Sequence, residues 1–174
     1  AILSYAGDIP EMDHGLLGTL GRSHGELNAP DEKFLQIQAL PDGHLCRVRA
    51  IRSLVDRWQP DIIHAHSSFA GVYVRLAIHN SPRRRVVYTP HAYGFERLDI
   101  GPVKRALIHA AEALLTRNTE VVAACSTREQ KLARDMHARR TVFVPNVAAP
   151  QFHTRDAVLP LPERRVITVM GRVV

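Results

Sequence analysis

The chain has 174 residues, of which 45% are hydrophobic and 23% charged, and its formal net charge is +6. This composition is ordinary for a globular protein with one domain, or with one domain and a fragment of another. No apolar run reaches the roughly 18 residues that a membrane-spanning helix needs. No basic-then-apolar signal sequence opens the chain.

The excess positive charge comes mostly from arginine and favours anionic partners such as phosphates, nucleotides, anionic lipid head groups or nucleic acid. A solvated arginine-rich surface is the alternative. The two cysteines, Cys46 and Cys125, lie far apart and match no metal-binding spacing. We therefore expect two reduced, buried cysteines in a cytoplasmic protein.

Short apolar runs alternate with longer stretches of helical periodicity along the chain. The patterns predict strands at residues 2–5, 34–40, 62–66, 86–89, 121–125, 141–144 and 166–170. Residues 7–33 are predicted to be loop. One helix is predicted over residues 44–58, and a second begins at Ser67 or Ser68 as its N-cap. A third helix begins at Pro102, and a fourth covers residues 126–139. The third helix has one apolar face, made of Val103, Ala106, Leu107, Ala110, Leu114 and Leu115.

The alternation of strands and helices from residue 34 to residue 144 predicts an open, doubly wound α/β domain around a parallel sheet. We expect this domain to occupy residues 1–147 and to lack its first strand and helix. Three prolines, with Pro145 just before them, favour a linker at residues 148–165. Residues 166–174 would then form the first strand of a second, truncated domain.

Small polar side chains and histidines follow the predicted strands. Because ligands of such sheets bind outside the carboxyl ends of the strands, these residues predict a binding edge. His66 and His91 lie nearest the strand tips, where an imidazole can bind a sugar hydroxyl or a phosphate, or carry a proton. The helix that begins near Ser67 would point its amide groups at the same edge and suits an anion.

Two further patterns have a plain structural interpretation. His64, His66 and His91 could together bind zinc, but no additional ligand lies at diagnostic spacing, so we predict no metal site. A histidine like His64 is more typically a hydrogen-bonded core residue. The arginines at 83–85 lie at the opposite edge of the sheet, either in a solvated turn or in contact with acidic lipid.

Five segments occur in a fixed order: PDIIHAHSS, RVVYTPHAYGFE, VVAACSTREQ, VPNV and VITVMGR. Together they resemble the amino-terminal half of the GT-B glycosyltransferases of family 4, over residues 34–174. The resemblance implies a Rossmann-like domain, one of two that close over the reactants. It also implies a retaining transferase that moves a sugar from a nucleotide diphosphate-sugar to an acceptor, without a metal or another cofactor.

The resemblance also implies roles for individual residues. His91, in the T-P-H segment, would be catalytic and lie near the transferred sugar. The acceptor would contact His66, Ser67, Ser68, Tyr93, Glu96 and Ser126. Pro145 and Asn146 would form the hinge, and Gly171 and Arg172 would bind the donor diphosphate.

The chain departs from the family pattern at Ala92, since the family commonly has glycine there, in a T-P-H-G segment. Phe95 could either pack as a plug onto the core or line the cleft. The glycine-rich loop and the donor-domain E-x7-E motif are absent from this sequence. We therefore expect this fragment alone to be inactive.

Other functions stay open from the sequence. One is a nucleotide-sugar epimerase with the same two-domain plan, and another is a non-catalytic basic α/β binding module. Because the arginines do not interleave with aromatic residues, we expect no nucleic-acid partner. The acceptor could be lipid-linked, a glycan or a small molecule. The basic helix at 44–58 could rest on anionic lipid at the inner face of the plasma membrane.

Overall fold

The structure, a computed structural model, describes residues 13–18 and 36–146. The predicted strand at 2–5, the linker at 148–165 and the segment at 166–174 lie outside the described residues, as do Gly171 and Arg172.

The described part of the chain alternates strands with helices, as the sequence patterns predict. The strands are β1 (Gly15–Gly18), β2 (Gln36–Ala39), β3 (Ile62–His66), β4 (Arg85–Thr89), β5 (Val121–Ala124) and β6 (Thr141–Phe143). The helices of the described residues are α1 (His44–Trp58), α2 (Ser68–Ala77), α3 (Pro102–Thr116) and α4 (Thr127–Asp135), and a 3-10 turn spans Gly94–Glu96.

Strands β3 to β6 form a four-stranded parallel sheet in chain order, and β1 pairs with β2 in a separate parallel pair. Helices flank the sheet, which gives the Rossmann-like α/β architecture that the sequence predicts. Strand β1 corrects the prediction of loop at residues 7–33. Its apolar content is only Leu16 and Leu17 between two glycines, which is too short a run to show a period.

The two central strands carry the most deeply buried part of the core. Val86 and Tyr88 of β4 are completely buried. In β5, Ala124 is completely buried and Val122 is 1% exposed. Helix α1 packs Ile51, Leu54 and Val55 inward, the apolar positions predicted for that helix, whereas its Leu45 is exposed. The parallel sheet therefore obtains its core from nearly continuous apolar strands, as buried parallel strands require.

A buried ion pair joins α2 to α3 above the sheet. Arg75 Nη2 donates to Glu112 Oε2 at 2.8 Å, and both side chains are almost fully buried. The Tyr88 hydroxyl donates to the same carboxylate at 3.3 Å, and the Arg75 guanidinium lies 3.9 Å from the centre of the Tyr88 ring. Removal of either charge would leave the other buried and unpaired, which is strongly destabilising.

This ion pair determines which side of α3 faces the sheet. The side that faces the sheet carries Glu112 and Thr116, whereas the apolar face predicted from the sequence points outward. Val103, Leu107 and Leu114 expose 74%, 66% and 62% of their surface. Helical periodicity identifies an apolar face, but it does not say whether that face meets the core.

Gly71 sets the distance between α2 and β4. A Cβ atom at this position would overlap the ring of Tyr88, which is itself completely buried. The helix can approach the strand this closely because Gly71 has no side chain.

We predict that Gly71→Ala lowers the free energy of unfolding by about 1–3 kcal/mol, because the added methyl group overpacks the core. Gly101→Ala is the matched control, since a Cβ at Gly101 meets nothing within 4 Å. Denaturant unfolding of both variants checks this. Equal stabilities of the two variants would contradict the close approach.

Candidate functional site

Three side chains meet at the carboxyl ends of β3, β4 and β5. His66 Nδ1 lies 3.2 Å from His91 Nε2, and His91 Nδ1 lies 3.6 Å from Cys125 Sγ. We call this row of His66, His91 and Cys125 the strand-end row. The structure thus brings His66 and His91 together, as the sequence predicts, and adds Cys125. Cys125 is only partly buried and Cys46 is exposed, so the prediction of two buried cysteines is wrong.

The strand-end row has a preferred direction of hydrogen bonding. Partial burial, with Glu129 nearby, raises the pKa of the Cys125 thiol, which therefore keeps its hydrogen. A thiol sulfur is a weak acceptor, so we assign the S–H as donor to His91 Nδ1. His91 then carries its hydrogen on Nε2 and donates it toward His66 Nδ1.

The loop that presents His91 has a strained backbone. His91 and Ala92 have φ angles of +48° and +76°, in the left-handed region that favours glycine. Position 92 is where the resembled family commonly has glycine, and here the alanine keeps the left-handed conformation. The imidazole of His91 is exposed to solvent as a result of this turn.

Glu129 holds this strained loop in place. Its buried carboxylate accepts a hydrogen bond from the Ala92 amide at 2.7 Å through Oε1, and from the Cys125 amide at 2.8 Å through Oε2. Its spacing from Ser126 is a capping-box signal, but the pattern does not show that the carboxylate also reaches a second loop.

We predict that Glu129→Gln lowers the free energy of unfolding by about 1–3 kcal/mol. Glutamine offers one oxygen to two partly buried N–H donors, so one donor loses its partner. Asp135→Asn, an exposed carboxylate-to-amide change on the same helix, should stay within about 0.5 kcal/mol of the parent.

Chemical denaturation of the two variants beside the parent checks this prediction. An unchanged stability in Glu129→Gln would mean that the two amide contacts are not maintained in solution.

His64 is hydrogen-bonded, as expected from the sequence, but it lies on the edge strand and keeps solvent-exposed surface rather than being enclosed in the core. Its Nε2 lies 2.9 Å from Thr89 Oγ1, and its ring centre is 4.0 Å from that of His66. Loss of hydration, and then the nearby His66 and His91, lower the pKa of His64 to about 4. Burial, and then the nearby His91, also lower the pKa of His66.

This shift makes stability dependent on pH. In the unfolded chain a histidine takes up its proton near pH 6.5, but the folded His64 resists it until about pH 4. The contribution of His64 to the free energy of unfolding is therefore present above pH 6.5 and is lost as the pH falls towards 4. We predict that the unfolding free energy falls less steeply over this range in His64→Gln than in the parent. Superimposable pH profiles would contradict this.

The three serines proposed for acceptor binding surround the strand-end row. Ser67 is exposed with φ +77°, and its side chain forms no cap bond to α2, so the predicted N-cap interaction is wrong. Ser68 Oγ donates to the Ala92 carbonyl at 3.4 Å. Ser126 Oγ accepts from the Glu129 amide at 3.1 Å, which confirms the predicted cap of α4.

The aromatic residues of the loop do not reach this edge. Tyr93 is 2% exposed and stacks on buried Phe95 at 5.1 Å between ring centres. Burial raises the pKa of its hydroxyl. This position corrects the acceptor-binding role predicted for Tyr93, and Phe95 is the core plug that the sequence allowed. Glu96 stays at the surface, in an ion pair with exposed Arg128.

The predicted hinge residues Pro145 and Asn146 are exposed directly after β6, at the last positions that the structure describes. Among the described residues, no group of three or more histidine, cysteine or acidic side chains is arranged to hold a metal ion. In the same part of the chain, none of the helices has the length and apolar character needed to span a bilayer.

Comparison with known proteins agrees with this architecture. The family model described as a glycosyl transferase 4-like domain matches residues 19–147. The chain therefore belongs to the glycosyl transferase 4-like family.

Two curated relatives are similar over shorter stretches. The chain is 37% identical over 79 residues to a Klebsiella pneumoniae protein named "Uncharacterized 41.2 kDa protein in cps region", covering 43% of this chain and 22% of that protein. It is 30% identical over 112 residues to "Putative glycosyltransferase EpsD" of Bacillus subtilis (strain 168), covering 56% of this chain and 29% of that protein. The chain thus matches less than a third of the length of either relative.

Proposed function

We propose that the chain is the acceptor-side domain of a retaining glycosyltransferase, which moves a sugar from a nucleotide diphosphate-sugar to an acceptor. The observation that carries the proposal is the exposed His91 imidazole, fixed between His66 and Cys125 at the ligand-binding edge of a Rossmann-like sheet. Family membership and the name of the Bacillus subtilis relative support a transferase.

The strand-end row is suited to uncharged sugar hydroxyls. Because the pKa of His66 is lowered, its imidazole is neutral near pH 7 and accepts a hydrogen bond. In the assigned tautomer, His91 Nε2 donates. An arriving hydroxyl could replace His66 as the acceptor of that hydrogen, and His66 could in turn accept the hydrogen of the hydroxyl. His91 would thus orient the transferred sugar through a donated hydrogen bond.

The second domain would bind the donor, and in this proposal Gly171 and Arg172 contact the diphosphate. The acceptor is a glycan, a lipid-linked sugar or a small molecule, and the "cps region" name of one relative supports a role in cell-envelope polysaccharide synthesis. The reaction would proceed in the cytoplasm, without a metal, without another cofactor and without nucleic acid. Pro145 and Asn146 would allow the two domains to close.

The test is release of UDP or GDP by the full-length protein from a panel of nucleotide-sugars. We predict that His91→Ala lowers turnover about 100-fold or more, as the loss of a group that stabilises the transition state does. His79→Ala is the control, because His79 is an exposed histidine that follows α2 at the opposite edge of the sheet.

Normal turnover by His91→Ala would contradict the proposed role of His91. Conversion of the donor into a different nucleotide-sugar, without release of nucleotide, would identify an epimerase instead. Absence of release together with absence of nucleotide-sugar binding by calorimetry would favour a non-catalytic module.

A further inference from the structure

A cluster of three rings lies where helices α1 and α2 begin. The ring of Phe69, in the first turn of α2, is centred 6.0 Å from the ring of His44, the first residue of α1, and the two planes differ by 26°. The ring of Tyr73 is centred 6.2 Å from that of Phe69 and 5.8 Å from that of His44. We call these three rings the aromatic shelf.

The aromatic shelf has a fixed base and an exposed side. Tyr73 is 5% exposed, and its hydroxyl oxygen lies 2.6 Å from His44 Nδ1, a contact that holds the imidazole in place. Phe69 keeps 67% of its surface in solvent, and His44 is also exposed. Because Phe69 is positioned by stacking and still open to solvent, it offers an aromatic face to a ligand.

Phe69 lies at the same edge of the sheet as the strand-end row. Helix α2 follows the carboxyl end of β3, where His66 lies. Side chains in a helix lean towards its amino terminus, so Phe69, in the first turn, leans towards this edge. Phe69 follows His66 by three residues, so their Cα atoms are at most about 11 Å apart.

Hydrogen bonds join the first turn of α2 to the loop of His91. The Ser67 amide donates to the Thr89 carbonyl at 2.9 Å, and Ser68 Oγ donates to the Ala92 carbonyl at 3.4 Å. The aromatic shelf and the strand-end row are therefore parts of one connected surface, with the two serines between them. A ligand that extends from His91 across these serines reaches the shelf.

The chemistry of the shelf fits the ring of a neutral sugar. One face of a pyranose ring carries C–H groups, whose weak positive charge complements the negative face of an aromatic ring. Beside the shelf, the Arg47 guanidinium lies 5.8 Å from the centre of the Tyr73 ring and forms an ion pair with Asp42 at 3.4 Å. Because Asp42 compensates this guanidinium, the flank of the shelf favours a neutral ligand over a phosphate.

We propose that the aromatic shelf is an acceptor subsite, in which Phe69 stacks on the sugar ring next to the unit that receives the transferred sugar. This inference rests on the proposed function, because it assigns the acceptor to a class of molecule. The acceptor is then a carbohydrate of at least two units. Its reacting hydroxyl lies at the strand-end row while the neighbouring ring lies on Phe69.

A second exposed residue of α2 separates this subsite from a larger docking surface. Leu76 follows Phe69 by seven residues, or two helical turns, and is 60% exposed. A protein segment or a lipid chain that lies along α2 would cover both side chains. A sugar ring on the shelf would contact Phe69 alone, so Leu76 provides the matched control.

The experiment is binding of the full-length protein to an array of defined mono- and oligosaccharides, with and without UDP or GDP. Calorimetry then gives the affinity for each bound glycan. We expect binding of oligosaccharides, and a loss of about tenfold or more in Phe69→Ala, which removes the aromatic face. Phe69→Trp keeps such a face and should bind within about threefold of the parent. Leu76→Ala should bind like the parent.

Four results would overturn the proposal. They are absence of oligosaccharide binding by the parent, unchanged affinity in Phe69→Ala, failure of Phe69→Trp to restore binding, and an equal loss in Leu76→Ala. The last result would assign this face of α2 to a protein segment or a lipid chain. Because both substituted residues are exposed, the unfolding midpoint should stay at the parental value in all three variants.

Glycan binding needs no transfer, so the subsite and the transferase activity can fail separately. Glycan binding that depends on Phe69, without nucleotide release from any donor, would contradict the transferase and retain the subsite. Nucleotide release with an unchanged glycan affinity in Phe69→Ala would contradict the subsite alone.

Discussion

The buried carboxylate of Glu129 is the constraint on which the candidate site depends. It lies in the first turn of α4 and accepts the backbone amides of Ala92 and Cys125, which follow two neighbouring strands. These bonds compensate for the left-handed conformations of His91 and Ala92, each of which is unfavourable for a residue with a Cβ. One side chain thus fixes the positions of His91 and Cys125 together. Without it, the loop of His91 would keep the bond from Ser68 to the Ala92 carbonyl but would lose the bond to the Ala92 amide.

A second polar contact sets the orientation of α3. Because Arg75 and Glu112 pair beneath the helix, the inward side of α3 contacts the sheet through this ion pair, through the ring of Tyr88 and through partly buried Ile108 and Ala113. Val103, Leu107 and Leu114 are left exposed on the outside.

The sequence predicts most of the fold, because β3 to β6 are short apolar runs and the helices between them show clear periodicity. It fails for β1, whose two leucines are too few to show a pattern. The sequence also predicts which residues form the apolar face of α3, but not whether that face points to the core or to solvent. The direction depends on the pairing of Arg75 with Glu112, which lie 37 positions apart. For the site, strand ends predict His66 and His91, but the burial of Tyr93 and the reach of Glu129 depend on tertiary packing.

The most direct measurement is a crystal structure of the full-length protein with a nucleotide-sugar that supports turnover. The account predicts that the transferred sugar lies at the strand-end row, with a hydroxyl within about 3 Å of an imidazole nitrogen of His91. It also predicts that both Glu129 contacts remain in the complex. A sugar bound away from His91 and His66, with the loop at residues 91–92 released from Glu129, would contradict it.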